Sequence, residues 1–269
     1  MSSAAGKTKV ISLFQSQKKI YARSVTGRFA NWRVAMVLFT QALFYGLAWL
    51  PWNERQAVLF DLTARKFYIF GWVFWPQDVL YLALILIVSA YALFFVTAIA
   101  GRVFCGYACP QTVYTEIFMW IEEKFEDDRG ARMKLDFTPM STNKLWRKGS
   151  EHFFWILIAL WIGFTFVGYF TPIHTLTEKV LTASTGPWET FWIVFYGFAT
   201  WGNAGFMREQ VCEYMCPYAR FQSVMFDRDT MIVTYDQARG EPRGGRKKSA
   251  DPVALKLGSC VDCSLCVQV

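Results

Sequence analysis

Residues 79–101 run for 23 positions without a charge, between Asp78 and Arg102. No other feature limits the fold so tightly. In a bilayer the backbone of such a stretch must satisfy its own polar groups, and about 20 apolar helical residues suffice to cross. Three more charge-free runs, 34–50, 153–170 and 191–207, predict partner helices. Four spans are expected, near 34–51, 79–102, 153–170 and 190–207. The composition agrees, with 54% hydrophobic residues, 12 Trp and 25 Phe. Trp49, Trp52, Trp72 and Trp75 flank spans where an interfacial aromatic belt is expected.

The net charge of +7 would suit nucleic acid, but its distribution argues otherwise. Segments 1–33, 102–151 and 208–269 carry 24 of the 28 Lys and Arg residues. The two loops between them, 51–78 and 171–190, carry the other 4. By the positive-inside rule both ends and the central loop are expected in the cytoplasm. The excess of base is thus a topology signal, and no nucleic-acid partner is expected.

Between the spans, 57–62 and 67–71 are β-rich runs around a polar break, which predicts a small periplasmic β-hairpin. Residues 111–128 place Val113, Ile117, Ile121 and Phe125 at four-residue spacing. Glu116, Glu122, Glu123 and Glu126 stand on the other faces, so an interfacial amphipathic helix is expected. Residues 129–151 and 171–190 read as loops, and 231–235 as a short strand. Gly197, Gly202 and Gly205 would permit close helix contact in the fourth span. The expected division is a basic tail over 1–33, a four-helix domain over 34–230, a basic linker over 231–252 and a cluster-binding segment over 253–269.

The seven cysteines carry the chemistry. Cys105-Gly-Tyr-Ala-Cys109-Pro110 and Cys212-Glu-Tyr-Met-Cys216-Pro217 lie 107 positions apart, each after a span returning to the cytoplasm. This is an internal repeat, and repeated membrane halves commonly place a site at their interface. Cysteines at i and i+4 of one helix share a face, so each motif offers two thiolates and the four are expected to converge on a metal. Soft thiolates select Cu(I), zinc or iron–sulfur clusters, and buried structural cysteine is the bland alternative. Cys260-Val-Asp-Cys263-Ser-Leu-Cys266 opens a bacterial ferredoxin motif for a 4Fe–4S cluster. A zinc knuckle competes, though zinc sites usually add a distant second pair. A fourth cysteine is expected just past Val269, so the sequence reads as a piece of a longer protein, with 253–269 poorly held without it.

His152 and His174 are the two histidines, expected as hydrogen-bonded structural residues, with His174 kept open as a metal ligand. Tyr107 and Tyr214 are expected at the interface, and Glu116 and Glu213 in solvent. Pro110 and Pro217 are expected to end their spans. No Ser/His/Asp set, phosphate loop or dinucleotide fingerprint occurs.

The order of these elements, together with 55–62 and Arg65-Lys66-Phe67, resembles the cytochrome c oxidase accessory protein family called CcoG, FixG or RdxA. The resemblance implies a bacterial inner-membrane protein with a cytoplasmic two-cluster ferredoxin domain. It also implies a role in assembling haem–copper oxidases, with reduction of Cu(II) to Cu(I), oxidase assembly factors as partners and a cytoplasmic electron donor. A quinol-oxidising membrane subunit and a non-enzymatic assembly scaffold are the other readings.

Overall fold

The computed structural model describes residues 21–247, 251, 255–263 and 266. Most of the expected basic tail, the end of the linker, and five positions after Cys263 lie outside the described residues.

Helix α1 (Arg28–Trp49) stops two residues before Pro51, whose ring cannot continue it. Helix α2 (Val79–Ala100) starts on a 3₁₀ turn, Pro76–Asp78, where the Asp78 carboxylate accepts the Trp75 amide at 2.9 Å. It ends at Gly101, whose φ of +53° only glycine adopts freely. Helix α6 (Thr142–Val167) crosses α8 (Pro187–Thr200) at a close approach. There a Cβ on Gly163 would lie 2.5 Å from the Ile193 carbonyl, and one on Gly197 would lie 3.0 Å from Leu160. Of the described helices, α2 with its 3₁₀ turn (Pro76–Ala100) and α6 are long and apolar enough to cross a membrane. The other two expected spans coincide with α1 and with α8 plus a π-helical turn, Trp201–Met207, but neither meets that measure.

The core sits where three elements meet. Phe118 of α4 (Pro110–Glu126), Trp155 and Ala159 of α6, and Ala204 of the π turn pack together. Phe118 and Trp155 stack at 5.2 Å, and the Trp155 indole donates to the Phe118 carbonyl at 3.1 Å. A Cβ on Gly205 would lie 3.0 Å from the Trp155 ring, so Gly197 and Gly205 make the close contacts expected of them, whereas Gly202 faces open space. Helix α1 joins through rings: Trp49 stacks on Trp161 at 6.5 Å, and the Tyr169 hydroxyl donates to the Phe44 carbonyl at 2.6 Å.

Several expectations need correction. The hairpin is a three-stranded antiparallel sheet of β3 (Val58–Asp61), β4 (Lys66–Ile69) and β5 (Trp72–Phe74), beside a two-stranded ribbon of β1 (Pro51–Trp52) and β2 (Arg55–Gln56). Gln56 ties it to the end of α6: its amide donates to the Gly168 carbonyl at 2.9 Å and its oxygen accepts the Ile173 amide at 3.1 Å. The expected loop over 129–151 holds α5 (Arg129–Phe137) and the first turns of α6. The one over 171–190 holds α7 (Ile173–Leu181). Residues 231–235 form no strand; Met231 donates its amide to the Ile99 carbonyl at 3.1 Å instead. Helix α4 packs into the core, and its Glu122 and Glu126 are fully buried.

Candidate metal centre

The two cysteine motifs share a backbone plan that differs from the expected one. In neither motif do both cysteines lie on one helix. Cys105 sits in the short helix α3 (Val103–Tyr107), while Cys109 is the extended N-cap residue of α4, with Pro110 in its first turn. Cys212 sits in a second π-helical turn, Val211–Met215, while Cys216 is the extended N-cap residue of α9 (Pro217–Met225), with Pro217 in its first turn. Each proline thus starts the next helix, where its missing N–H costs nothing. Each second cysteine stands at a helix N-terminus, a partial positive charge of about 0.5 that favours thiolate. π-helical turns are rare and recur at functional sites.

The four cysteines, each half-buried, share one neighbourhood. Burial pushes the Cys105 thiol up, and Cys109 and Cys216 push it further; the Gln222 side chain and Arg102 act the other way. Burial also pushes the Cys212 thiol up, reinforced by Cys109, Cys216 and Cys105. Cysteines from both halves of the repeat therefore lie within electrostatic reach of one another. Among the described residues, the one trio of ligand atoms within 4.8 Å of each other is Glu122, Glu126 and Glu151.

A 4Fe–4S cluster takes one thiolate at each of four separate corners, so its ligands stand farther apart than those of a single zinc or copper ion. Four thiols from two loops, two of them at helix N-termini, match this donor set.

A frame of polar side chains fixes the loops. The Cys105 thiol donates to the Gln222 carbonyl oxygen at 3.8 Å, and the Gln222 amide donates to the Gly101 carbonyl at 3.0 Å. Thr112 donates to the Cys105 carbonyl at 2.6 Å. Across the repeat, Gln111 donates to the carbonyls of Asn203 and Arg208 at 3.0 and 3.3 Å. Sequence reading missed Gln111, Thr112, Gln222 and Arg208. For Gln111, Thr112 and Gln222, position inside the helix opened by each motif's proline was the available signal.

Cys260 is half-buried, and Cys263 and Cys266 are exposed. Their segment is pinned to the linker, with the Gly244 amide donating to the Cys260 carbonyl at 3.3 Å and Ser259 to Arg239 at 2.9 Å.

The histidines lie elsewhere. His152 stacks on Phe206 at 5.8 Å, with its Nδ1 buried and lacking a hydrogen-bond partner. His174 meets the Trp49 ring edge-on at 5.5 Å, in a cleft with Asn53 and Glu54. Tyr107 is half-buried, and Tyr214 and Glu213 are exposed. Glu116 accepts from the Trp120 indole at 3.2 Å and is largely covered, not solvated. Cations and a proton meet the buried carboxylates: Lys148 lies 2.6 Å from Glu126 and 3.7 Å from Glu151, and burial beside Glu126 pushes the Glu151 carboxyl up to about 8. Arg132 and Arg208 lie 3.2 and 2.9 Å from Glu122. This is an internal ion cluster that holds α4, α5 and α6 together.

Comparison with known proteins bears on the same residues. Residues 82–126, with Cys105 and Cys109, match the family described as a 4Fe-4S binding domain. Residues 207–269, with the other five cysteines, match a 4Fe-4S dicluster domain. The chain is 37% identical over 262 residues to the nitrogen fixation protein FixG of Rhizobium meliloti, across 96% of this chain and 50% of that protein. It is 36% identical to protein RdxB of Cereibacter sphaeroides, across 97% of this chain and 56% of that protein. Protein RdxA of the same organism is 35% identical, across 96% of this chain and 55% of that protein. The chain therefore spans about half the length of these relatives. No solved structure matches it. With cysteine motifs that fall inside 4Fe–4S-binding domains and relatives that align along nearly all of its length, the chain belongs to the FixG/CcoG/RdxA family.

Proposed function

We propose that this chain is the membrane part of an iron–sulfur electron-transfer protein. In this reading Cys105, Cys109, Cys212 and Cys216 together hold one 4Fe–4S cluster at the cytoplasmic membrane face. Cys260, Cys263 and Cys266 supply three thiolates of a ferredoxin cluster, completed by a cysteine beyond residue 269. The observation that carries it is the gathering of four thiols from two repeats within electrostatic reach of one another, two of them at helix N-termini. When bound, such a cluster takes up and gives back one electron at a time. The chain's own part is to hold the thiolates, to place two helix N-termini under their negative charge, and to cover them by half.

The fold in this reading has four spans near 34–51, 79–102, 153–170 and 190–207, with both ends of the chain in the cytoplasm and the sheet in the periplasm. The split of 24 basic residues against 4 supports that orientation, and α1, α2, α6 and α8 supply the helices.

The substrate we propose is Cu(II), reduced by one electron to Cu(I) for assembly of a haem–copper oxidase; support for it comes from the family resemblance. Full-length protein in detergent, reduced in anaerobic buffer, tests it. Oxidation of the protein by Cu(II), with one Cu(I) formed per electron lost and no need for quinol, is expected. Electron transfer only from added quinol would replace this reading by the quinol-oxidising one, and redox inertness would leave a scaffold.

A further inference from the structure

The repeat is broken at one informative place. Gly101 and Arg208 hold equivalent positions, each four residues before the first cysteine of its motif. Their backbones agree: φ +53° and ψ −111° at Gly101, φ +39° and ψ −104° at Arg208. Glycine adopts that conformation freely, whereas for a side chain with a Cβ it costs about 1–3 kcal/mol. One half of the repeat carries the residue the backbone prefers. The other carries a strained arginine, held by what its side chain does.

The guanidinium is well anchored. Nη2 donates to the Glu122 carboxylate at 2.9 Å, and Nε donates to the Gly205 carbonyl at 2.9 Å. The group lies 5.8 Å from the centre of the Trp155 ring, and the Arg208 carbonyl accepts from Gln111 at 3.3 Å. Glu122 and Gln111 both belong to α4, the helix that Cys109 caps. Arg208 therefore joins the start of the second cysteine loop to the helix carrying the first, by one buried ion pair and one hydrogen bond. Gln222 makes the reciprocal link, from α9 back to Gly101 and Cys105.

We propose that Arg208 is a positioning residue that sets the distance between the two cysteine pairs, Cys105/Cys109 and Cys212/Cys216, and so the environment of the group they hold. This rests on the shared four-thiolate site proposed above. The strain at Arg208 is the local cost of a cross-repeat tie that glycine could not make.

The test uses full-length protein carrying Arg208→Gly, Arg208→Lys or Glu122→Gln. The first readout needs no cluster: the yield of Cys109–Cys212 cross-linking by dibromobimane in the iron-free protein, with the other five cysteines of this chain changed to Ser. The second is the midpoint potential of the membrane-level cluster, read with Cys260, Cys263 and Cys266 changed to Ser. Arg208→Gly relieves strain but also removes one of the two cations beside buried Glu122, so its folding is checked by its melting temperature. Its cross-linking should change at least threefold and its midpoint potential shift measurably. Glu122→Gln should follow Arg208→Gly, and Arg208→Lys should fall between them and wild type. Wild-type cross-linking and potential in Arg208→Gly would overturn the proposal. If Arg208→Gly does not fold, the same result in both Arg208→Lys and Glu122→Gln would overturn it. A wild-type protein without a membrane-level cluster would refute the shared-site reading separately, and the cross-linking result would still decide whether Arg208 sets the spacing.

Discussion

Lys148 shows how far a single residue's role departs from its sequence context. Its ammonium lies within 4 Å of three carboxylates, Glu126, Asp136 and Glu151, of which Glu126 is fully buried. Breaking such a network leaves buried charge unpaired, at a cost of about 3–5 kcal/mol. Lys148→Met should lower stability by roughly that amount, read as a large drop in melting temperature in detergent. Glu189 gives a pH dependence on the other face. The Lys179 ammonium, 2.9 Å away, and the Gly186 amide hold its carboxyl below the usual carboxylate value. A depressed carboxylate adds stability above its unfolded value of about 4.5, and loses it as pH falls through the lower folded value. Amide protection factors over 173–189, corrected for the intrinsic exchange rate, should therefore fall below about pH 4.5, and Lys179→Met should weaken that dependence. The cations beside Glu122, Arg132 and Arg208, come from other segments, so spacing within α4 carries no trace of them.

Among the elements, the long apolar helices were legible and the short ones were not. The absence of charge over 79–101 leaves a helix as the one way to satisfy the backbone in lipid. Helices α5 and α7 are nine residues each and mix charge with apolar groups, so their periodicity is too short to read. The π turns 201–207 and 211–215 have no sequence signature at all, since an extra residue per turn follows from packing. The cysteine motifs were legible as a pair, but the break between α3 and α4 was misread as continuous helix. Proline in the first turn of α4 and α9 marks that break. At the α6–α8 crossing, Gly163→Ala would bring a methyl to 2.5 Å from the Ile193 carbonyl. That overpacking should destabilise by about 1–3 kcal/mol in thermal unfolding. Gly202→Ala, facing open space, should stay within about 0.5 kcal/mol of wild type.

At the scale of the molecule, one arrangement organises the rest. Two halves each bring a helix to a left-handed break, a cysteine, a second cysteine at a helix cap and a proline. The account places both breaks on the cytoplasmic side. A membrane-impermeant thiol reagent should label Cys105 and Cys212 of cluster-free protein in inverted vesicles but not in intact spheroplasts; labelling from outside would reverse the topology. The central claim is that both halves hold one cluster between them. It is tested most directly by iron and acid-labile sulfide analysis, with electron paramagnetic resonance, on anaerobically purified full-length protein stripped of every ferredoxin-domain cysteine. The account predicts a single four-iron cluster, lost on replacing Cys105 or Cys109 in one half, or Cys212 or Cys216 in the other, by serine. A cluster that survives removal of both cysteines from either half, or none in the parent protein, would contradict it.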